Sequence, residues 1–578
     1  MVALSDHTVQ TENRLTTQSL DIGDNTLVMR SLDWDRDRFD IEFGLQNGTT
    51  YNSYLIQGDQ VALVDTSHAK FQDLYFKLLN KVIDPAQINY LVISHTEPDH
   101  SGLVKDLLAL APNLVVVGAK IAISFLEELI NAPFKSQIVK NGDQIDLGKG
   151  HVLEFLNAPN LHWPDTIFTY DHHTKILYTC DAFGAHFCKD DIFDEDLEAL
   201  SPDYRFYYEC LMGPNSRSVL SAMKRMDQLP GIDTIATGHG PLLRHHVEEL
   251  TERYRSWSQA KATAEQNVAV FYLSDYGYSD RISQAIARGI SKTGVAVEMM
   301  DLKAADVQEV QELINDVAAF VITTAPAAGP HATTTQAALS TILAAAKDKQ
   351  FFGVFESYGG NDQPIDPLLS RFKESGLREA FTSIRVKDTP SEALYQACEE
   401  SGVDLGQKLT LKENIKKIKA IDGDLEKALG RLSSGLYILT AVKGGLTGAM
   451  LASWVTQASL EPLGFTVAVA KDRAIESLMQ VGDVFVLNVL ETDNYASLMN
   501  HFLKRFPPGA DRFAGIKTRQ AENGSPILAD ALAYMECKVV SRMECSDHWL
   551  VYSEVTVGKV SKPDSLTAVH HRQVGTYY

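Results

Sequence analysis

Cysteine is scarce and scattered in this chain. Its six copies, Cys180, Cys188, Cys210, Cys398, Cys537 and Cys545, form no CxxC pair, so neither a disulfide framework nor a thiolate-held zinc or iron–sulfur site is indicated. Positive charge is the minority sign, 53 Lys and Arg against 75 Asp and Glu for a net −22. With no basic block to offset it, that balance excludes nucleic acid and anionic membrane surfaces as partners. No stretch reaches the ~18 apolar residues of a membrane span, so no integral membrane segment is expected. The opening MVALSDHTVQTENRLTTQ lacks the basic and apolar regions of a secretory signal, and a cytoplasmic protein is the expectation.

What is present reads as an ordinary globular chain, 45% apolar and 22% charged, without internal repeat or low-complexity segment. Its 578 residues suggest three or four domains at roughly 150 residues each. From about residue 25 to 250, short β-branched runs (TYNSYLI, QVALVDT, INYLVIS, LVVVG, HVLEFLNA, ILYTCDA, IDTIATG) end in polar turns and alternate with helical patterns such as KFQDLYFKLLNKV and ISFLEELINA. Several runs are apolar throughout, as strands covered on both faces require, and an α/β or αββα sandwich is predicted.

After RYRSWSQAKATAEQN, strand-like and helix-like segments alternate five times to about residue 405, with strands near Val268–Leu273, Val295–Asp301, Val317–Thr323, Phe351–Glu356 and Phe381–Val386. Strict alternation predicts a parallel, doubly wound sheet. The charged connector LTLKENIKKIKAIDGDLEKAL breaks the pattern, and the β-rich runs beyond it (GLYILTAV, FTVAVA, DVFVLNVL, KVVSRME, WLVYSEVTVGKV) predict a β-barrel.

The strongest chemical signal is His95-Thr96-Glu97-Pro98-Asp99-His100, directly after INYLVIS. Four metal-ligand side chains in six residues would diverge on a helix or strand, but a loop at a strand end can curl them around one point. His162, Asp181 and His239 also follow strand runs, and ligands at neighbouring strand ends converge on one edge of a sheet. Seven donors exceed the need of one ion and suit two that share a carboxylate. Four imidazoles and three carboxylates without a thiolate fit iron, manganese or zinc. His172 and His173 read as a polar turn and His245 and His246 as an exposed helix.

These residues, with LHWPDT around His162, TCDAFG around Asp181 and TGHGP at His239, resemble the flavodiiron proteins. The resemblance implies a metallo-β-lactamase-like domain with a non-haem di-iron centre: one iron on His95, Glu97 and His162, the other on Asp99, His100 and His239, and Asp181 bridging both. Zinc hydrolases of that fold carry HxHxDH, so Glu97 is a harder, negatively charged donor that favours redox iron over hydrolysis.

After VAVFYL, the turn Ser274-Asp275-Tyr276-Gly277-Tyr278-Ser279-Asp280 leads into RISQAIARGI, a helix N-terminus suited to a phosphate. It has neither a Walker lysine nor GxGxxG, against a nucleoside triphosphate and a Rossmann dinucleotide. Thr323-Thr324-Ala325-Pro326 and Ser357-Tyr358-Gly359-Gly360 complete a plausible mononucleotide pocket, in which Tyr358 can stack on a flat ring. This resembles the FMN-binding flavodoxin module of the same family, although that module carries Asn-Thr where Tyr278-Ser279 stand here and Ser-Pro-Thr in place of Thr324-Ala325-Pro326-Ala327.

RLSSGLYILTA, GLTGAMLASWVTQASLEPLGFTVAV and VFVLNVL resemble the flavin reductases, split β-barrels that bind FMN or FAD. That likeness places Ser453, Trp454, Gln457, Ala458 and Ser459 along the flavin, and Asn488 in the LNVL strand. The expected limits are 1–262 for the di-iron domain, 263–406 for the flavodoxin-like domain and 425–578 for the reductase-like domain. The order resembles flavodiiron proteins of oxygenic phototrophs, implying NAD(P)H as donor, oxygen as acceptor, and a homodimer or a heterodimer with a related chain. Nitric oxide reduction and a dizinc hydrolase remain the alternatives.

Overall fold

The computed structural model describes residues 14–36, 38–39, 43–264, 266–273, 278–303, 307–324, 332–356, 365–386, 389–420 and 424–571. The chain forms two compact units, 1–263 and 264–578.

In the first unit two sheets face each other. One runs β1 (Leu15–Gly23), β2 (Thr26–Asp33), β3 (Thr49–Gln57), β4 (Val61–Val64), β5 (Tyr90–Val92), β6 (Val115–Gly118), β7 (Lys135–Ile138), in that spatial order. It is antiparallel as far as β4 and parallel beyond. The other runs β8 (Gln144–Gly148), β9 (His151–Asn157), β10 (Ile167–Asp171), β11 (Ile176–Cys180), β12 (Thr234–Thr237), with only the β11–β12 pair parallel.

Val28, Tyr54, Ile56, Val92, Phe155 and Tyr178 fill the space between the sheets. Helices Gln72–Val82, Val104–Leu110 and Lys120–Ile130 cover one outer face through Leu79, Leu107 and Leu126. Helices Leu197–Tyr207, Ser216–Met226 and Val247–Ala262 cover the other through Tyr204, Met223 and Tyr254. This is the αββα layering expected, and it explains why β10 and β11 are buried at every residue. Burial of each large side chain stabilises the layers by roughly 1.5–3 kcal/mol.

Two pairings bring the strand ends together. The parallel register Cys180↔Thr237 sets Asp181 beside the Gly238-His239 turn. Ile167 donates its backbone N–H to the Ser94 carbonyl at 3.0 Å, which ties the end of β5 in one sheet to the start of β10 in the other.

The second unit opens with a parallel sheet in the order β14 (Ala296–Asp301), β13 (Asn267–Tyr272), β15 (Ala319–Thr323), β16 (Phe351–Phe355), β17 (Arg378–Glu379), the doubly wound arrangement predicted. Its fifth strand differs from the expectation at Phe381–Val386. The ladder is confined to Arg378–Glu379, and beyond it Ile384 makes only an isolated bridge to Phe355. At this point the Phe381 ring occupies the space over Gly353, 2.2 Å from where a Cβ would sit, while Ala380 and Ile384 on either side still donate to the Phe352 and Val354 carbonyls of β16.

Helix α1 (Ser279–Lys292) packs on helix α2 (Glu392–Ala420). The two approach so closely that a Cβ on Gly289 would lie 1.9 Å from the Glu399 carbonyl oxygen and one on Gly402 2.0 Å from that of Ile286. α2 also corrects the reading of the connector, because the helix continues through its first half to Ala420.

The β-rich tail forms β18 (Tyr437–Lys443), β19 (Leu446–Ala452), β20 (Val455–Leu460), β21 (Leu463–Ala470), β22 (Val484–Val489), β23 (Ala533–Cys545) and β24 (His548–Val560). They make one antiparallel sheet in the order β19-β18-β22-β23-β24-β21-β20, curled around Leu439, Val467, Phe485, Leu487 and Val551.

A buried chain of ion pairs joins this barrel to the doubly wound layer. Glu399 of α2 accepts from Arg288 Nε at 2.8 Å and from Lys292 Nζ at 2.6 Å, and Lys292 also donates to Glu476 at 2.7 Å. Glu476, in the turn Ala474–Leu478, is paired in addition with Arg542 of β23.

Candidate metal centre and flavin segments

The seven predicted ligand residues converge. Pro98 opens a four-residue helix, Pro98–Ser101, which curls Asp99 and His100 back under His95 and Glu97. Their donor atoms fall into two sets. His95, Glu97, His162 and Asp181 lie within 4.8 Å of one another, as do Asp99, His100 and His239.

Glu97 Oε2 is 3.2 Å from His95 Nε2 and 3.0 Å from His162 Nε2. Asp181 Oδ2 faces the same two nitrogens at 3.5 and 3.4 Å. Its other oxygen, Oδ1, faces His100 Nε2 at 3.0 Å and His239 Nε2 at 3.1 Å. Asp99 completes the second set, with Oδ1 3.5 Å from His100 Nε2 and Oδ2 3.3 Å from His239 Nε2. The Nε2 of each of the four imidazoles thus addresses two carboxylates, which one N–H cannot satisfy, whereas a cation at the centre of each set satisfies all of them. By donor type and convergence the residues fit two metal ions with Asp181 shared between them.

The electrostatics follow from burying so much charge. Burial alone pushes carboxylates up and imidazoles down, but mutual attraction outweighs it. Asp181 is held far below the usual carboxylate range by His100, His162 and His239. Glu97 is also held low, through His162 and His95. Against the same burial, Glu97 and Asp181 raise His162 to about 9, and Asp181 and Asp99 raise His239 to about 10. Of the seven side chains Glu97 is the most open to solvent, at 14%.

The flavin segments are less complete. Ser274, Tyr276, Gly277, Pro326, Ser357, Tyr358, Gly359 and Gly360 lie outside the described residues. Ser279 is buried as the first residue of α1, and Thr324, just past β15, donates its backbone N–H to the Phe355 carbonyl at 3.0 Å, so both sit at the strand-end edge of the sheet.

In the barrel, Ser453 is fully buried after β19, whereas Gln457 and Ala458 are exposed on β20, the outermost strand of its sheet. Ser459 bonds to the Pro462 carbonyl and the Tyr552 hydroxyl at 2.7 and 2.8 Å. Gln457, Ala458 and Ser459 therefore share one outer strand, with Ser453 buried just before it. Asn488 is engaged within the barrel: its amide donates to the Ile438 carbonyl and Thr440 Oγ1 and accepts from Leu528 N–H.

Comparison with known proteins matches each part of the chain to a family. Residues 49–240 match the ODP family beta lactamases, 270–402 flavodoxin, and 429–577 the flavin reductase like domain. The chain is 64% identical to diflavin flavoprotein A 3 of Nostoc sp. PCC 7120, over the full length of both. It is equally 64% identical to diflavin flavoprotein A 1 of Synechocystis sp. PCC 6803, over 98% of this chain and 99% of that one. The chain belongs to the diflavin flavoprotein A family. Among solved structures, a metal-soaked flavodiiron core from Synechocystis sp. PCC6803 matches at 38% identity and a TM-score of 0.63, covering 69% of this chain and 99% of that core. Diflavin flavoproteins of this flavodiiron type are oxidoreductases, and the three folds are metallo-β-lactamase-like, flavodoxin-like and flavin-reductase-like.

Several residues of the centre escape sequence reading. Asp165, inside the LHWPDT run, accepts from Thr96 N–H at 2.8 Å and Thr96 Oγ1 at 2.6 Å, and its other oxygen meets His95 Nδ1 at 3.0 Å. Tyr207 donates its hydroxyl to Asp181 Oδ1 at 3.0 Å, and His239 Nδ1 meets the Thr50 carbonyl at 2.7 Å. Tyr207 carried no local signal; Asp165 was detectable only as an acid three residues after a ligand histidine.

Four further histidines hold turns by polar contacts. His172 and His173 occupy the turn after β10 and pair with Glu154 and Asp24. His245 and His246 correct the expectation of an exposed helix: they lie in the turn before Val247–Ala262, where their backbone N–H groups donate to Asp194.

Among the described residues no helix is long and apolar enough to cross a membrane.

Proposed function

We propose that this chain reduces oxygen to water with electrons from NAD(P)H. In this reading His95, Glu97 and His162 hold one iron, Asp99, His100 and His239 the other, and Asp181 both. The observation that carries it is the division of the Asp181 carboxylate, one oxygen toward each donor set. When bound, the irons and flavins supply one-electron carriers, so that two NAD(P)H and two protons balance the four-electron reduction of one oxygen molecule to two waters.

The chain's own contribution is electrostatic and steric. Three carboxylates in one buried pocket favour a more highly charged metal than a neutral imidazole set does, because charge interactions strengthen as the surroundings become less polar. Glu97 supplies a hard oxygen where the hydrolases of this fold use histidine. Tyr207 fixes the orientation of the shared carboxylate through its hydroxyl hydrogen bond. Burial of the other donors keeps bulk water from the reacting region and leaves entry on the Glu97 side.

In the same reading residues 1–262 are the di-iron domain. Residues 263–406 form the FMN domain, with Ser274, Tyr276, Gly277, Ser279, Thr324, Pro326 and the Ser357–Gly360 turn around the flavin. Residues 425–578 form the reductase domain, with Ser453, Gln457 and Ser459 beside a second flavin, FMN or FAD. The active form is a cytoplasmic dimer, homomeric or with a close relative.

The test is anaerobic purification with metal and flavin analysis, followed by NAD(P)H-driven uptake of oxygen and of nitric oxide. Two irons and two flavins per chain, with two NAD(P)H consumed per oxygen and no peroxide, are expected. Zinc in excess over iron in active protein points to the hydrolase, and faster consumption of nitric oxide than oxygen points to a nitric oxide reductase. Either result overturns the proposal.

A further inference from the structure

Asp165 lies three residues beyond His162 and is fully buried. It is bonded to residues of the other ligand loop rather than of its own. One carboxylate oxygen takes both hydrogen-bond donors of Thr96, the backbone N–H at 2.8 Å and the hydroxyl at 2.6 Å. The second oxygen is 3.0 Å from His95 Nδ1. Trp163, from the same loop, stands edge-on to the His95 ring with centroids 5.0 Å apart. The loop that carries His162 therefore grips the loop that carries His95 and Glu97 by three hydrogen bonds and a ring contact.

We infer that Asp165 is the positioning residue for the His95–Glu97–His162 half of the centre, holding His95 in the one tautomer that can ligate. The inference rests on reading the seven residues as metal donors. Its chemistry is short. A carboxylate oxygen accepts and does not donate, so the hydrogen of the neutral His95 ring resides on Nδ1. The Nε2 lone pair then faces Glu97 and Asp181. An outer carboxylate of this kind sets the tautomer, fixes the ring plane and raises the basicity of the ligating nitrogen. Among the described residues no carboxylate is hydrogen-bonded to an outer ring nitrogen in the other half: His239 Nδ1 is held by the Thr50 carbonyl, and His100 Nδ1 is buried without a hydrogen bond. The effect is thus confined to one of the two metal positions.

Asp165→Asn is the discriminating variant. Its amide oxygen can keep the two Thr96 donors, but its NH2 group then faces His95 Nδ1 and forces the ring hydrogen onto Nε2, where the lone pair is needed. The probe is cobalt(II), titrated into the metal-free full-length protein and followed by its visible absorption and by equilibrium dialysis. The wild-type chain is expected to take up two cobalt ions. Asp165→Asn is expected to keep one at wild-type affinity and to bind the second about 10- to 100-fold more weakly, with an unchanged far-ultraviolet circular dichroism spectrum. Thr96→Val, which removes the hydroxyl but leaves the His95 contact, should weaken the second ion by less than about threefold; it supplies the comparison if the first variant is insoluble. Equal weakening of both ions, no weakening in Asp165→Asn, or a loss in Thr96→Val as large as that in Asp165→Asn overturns the inference. A wild-type chain that takes up fewer than two ions overturns the seven-donor reading itself, and this inference with it.

Discussion

Replacing Glu476 by Gln removes the charge that links Lys292 to Arg542 in the ion-pair chain joining the barrel to the doubly wound layer. Glu476 is 5% exposed and is pulled from an ordinary 4.5 to about 2, because Lys292 and Arg542 outweigh the cost of its burial. At ~1.36 kcal/mol per pH unit, that depression is worth about 3 kcal/mol. An independent route gives a similar size, since breaking a buried pair by deleting one partner costs ~3–5 kcal/mol. The lower end applies because Lys292 keeps Glu399 and Arg542 keeps the face of Trp549, 4.2 Å from its guanidinium carbon.

The sign is that of a depressed carboxylate: the stabilisation is complete above pH 4.5 and is lost as pH falls toward 2. At pH 7, hydrogen exchange read by mass spectrometry should therefore accelerate in Glu476→Gln by about a hundredfold in peptides from β23 and the end of α1. Lys443→Gln breaks the pair with Asp483, in which the lysine is 42% exposed, and should change exchange by less than about fivefold. Apolar replacement of Glu476, Lys292 and Arg542 together should recover stability to within about 1 kcal/mol of the native chain. If Glu476→Gln exchanges no faster than Lys443→Gln, the ion-pair chain does not hold the two layers together and the reasoning fails.

Gly402→Ala should destabilise the second unit by ~1–3 kcal/mol, since its Cβ would lie 2.0 Å from the Ile286 carbonyl oxygen; denaturant titration should show this against Gly558→Ala, whose nearest neighbour would be 3.9 Å away and which should shift far less. Asp181→Ala should leave fewer than one iron per chain and abolish oxygen uptake, and metal analysis that still finds two irons would contradict a shared carboxylate. His162 near 9 and His239 near 10 are protonated in the metal-free protein at pH 7, and His95 and His100 are shifted in the same direction, so metal loading should release at least two protons and tighten as pH rises, measurable by titration in weak buffer. The same raised values stabilise the metal-free fold fully below pH 6.5, and that contribution disappears as pH rises past 9 to 10. Deleting residues after about 425 should remove NAD(P)H oxidation and leave turnover with an artificial reductant, as an oxygen-electrode assay of the truncated chain would show.

Much of the architecture was legible because burial leaves a period in the sequence. Apolar runs such as ILYTC and IDTIAT marked strands covered on both faces, and alternation of strand and helix marked the parallel sheet. The reading weakened where a single long-range contact decided the outcome. Phe381–Val386 looks like a strand, yet the regular ladder ends at Arg378–Glu379 and the Phe381 ring packs over Gly353 beyond it. The charged segment after residue 408 looks like a break, yet the helix continues to Ala420, because lysine and glutamate are good helix formers and nothing in the segment forces a stop before Gly423. The seven donors were legible as residue types at strand ends, since a ligand cluster such as His95–His100 is rare by chance and its chemistry is local.

The sequence alone determined the inventory: which donors exist, that none is a thiolate, that the charge balance repels polyanions, and that three kinds of layer follow one another. Only the tertiary structure decided the partners. The parallel pairing of Cys180 with Thr237 sets Asp181 beside His239, and the fold turns one Asp181 oxygen toward each donor set. Asp165 finds His95 from 70 residues away, and Lys292 finds Glu476 from 184. Periodicity reports whether a residue is buried and on which face of its own element. Which buried charge meets which is settled by packing between elements remote in sequence, and the desolvation cost of a wrong partner makes that choice specific.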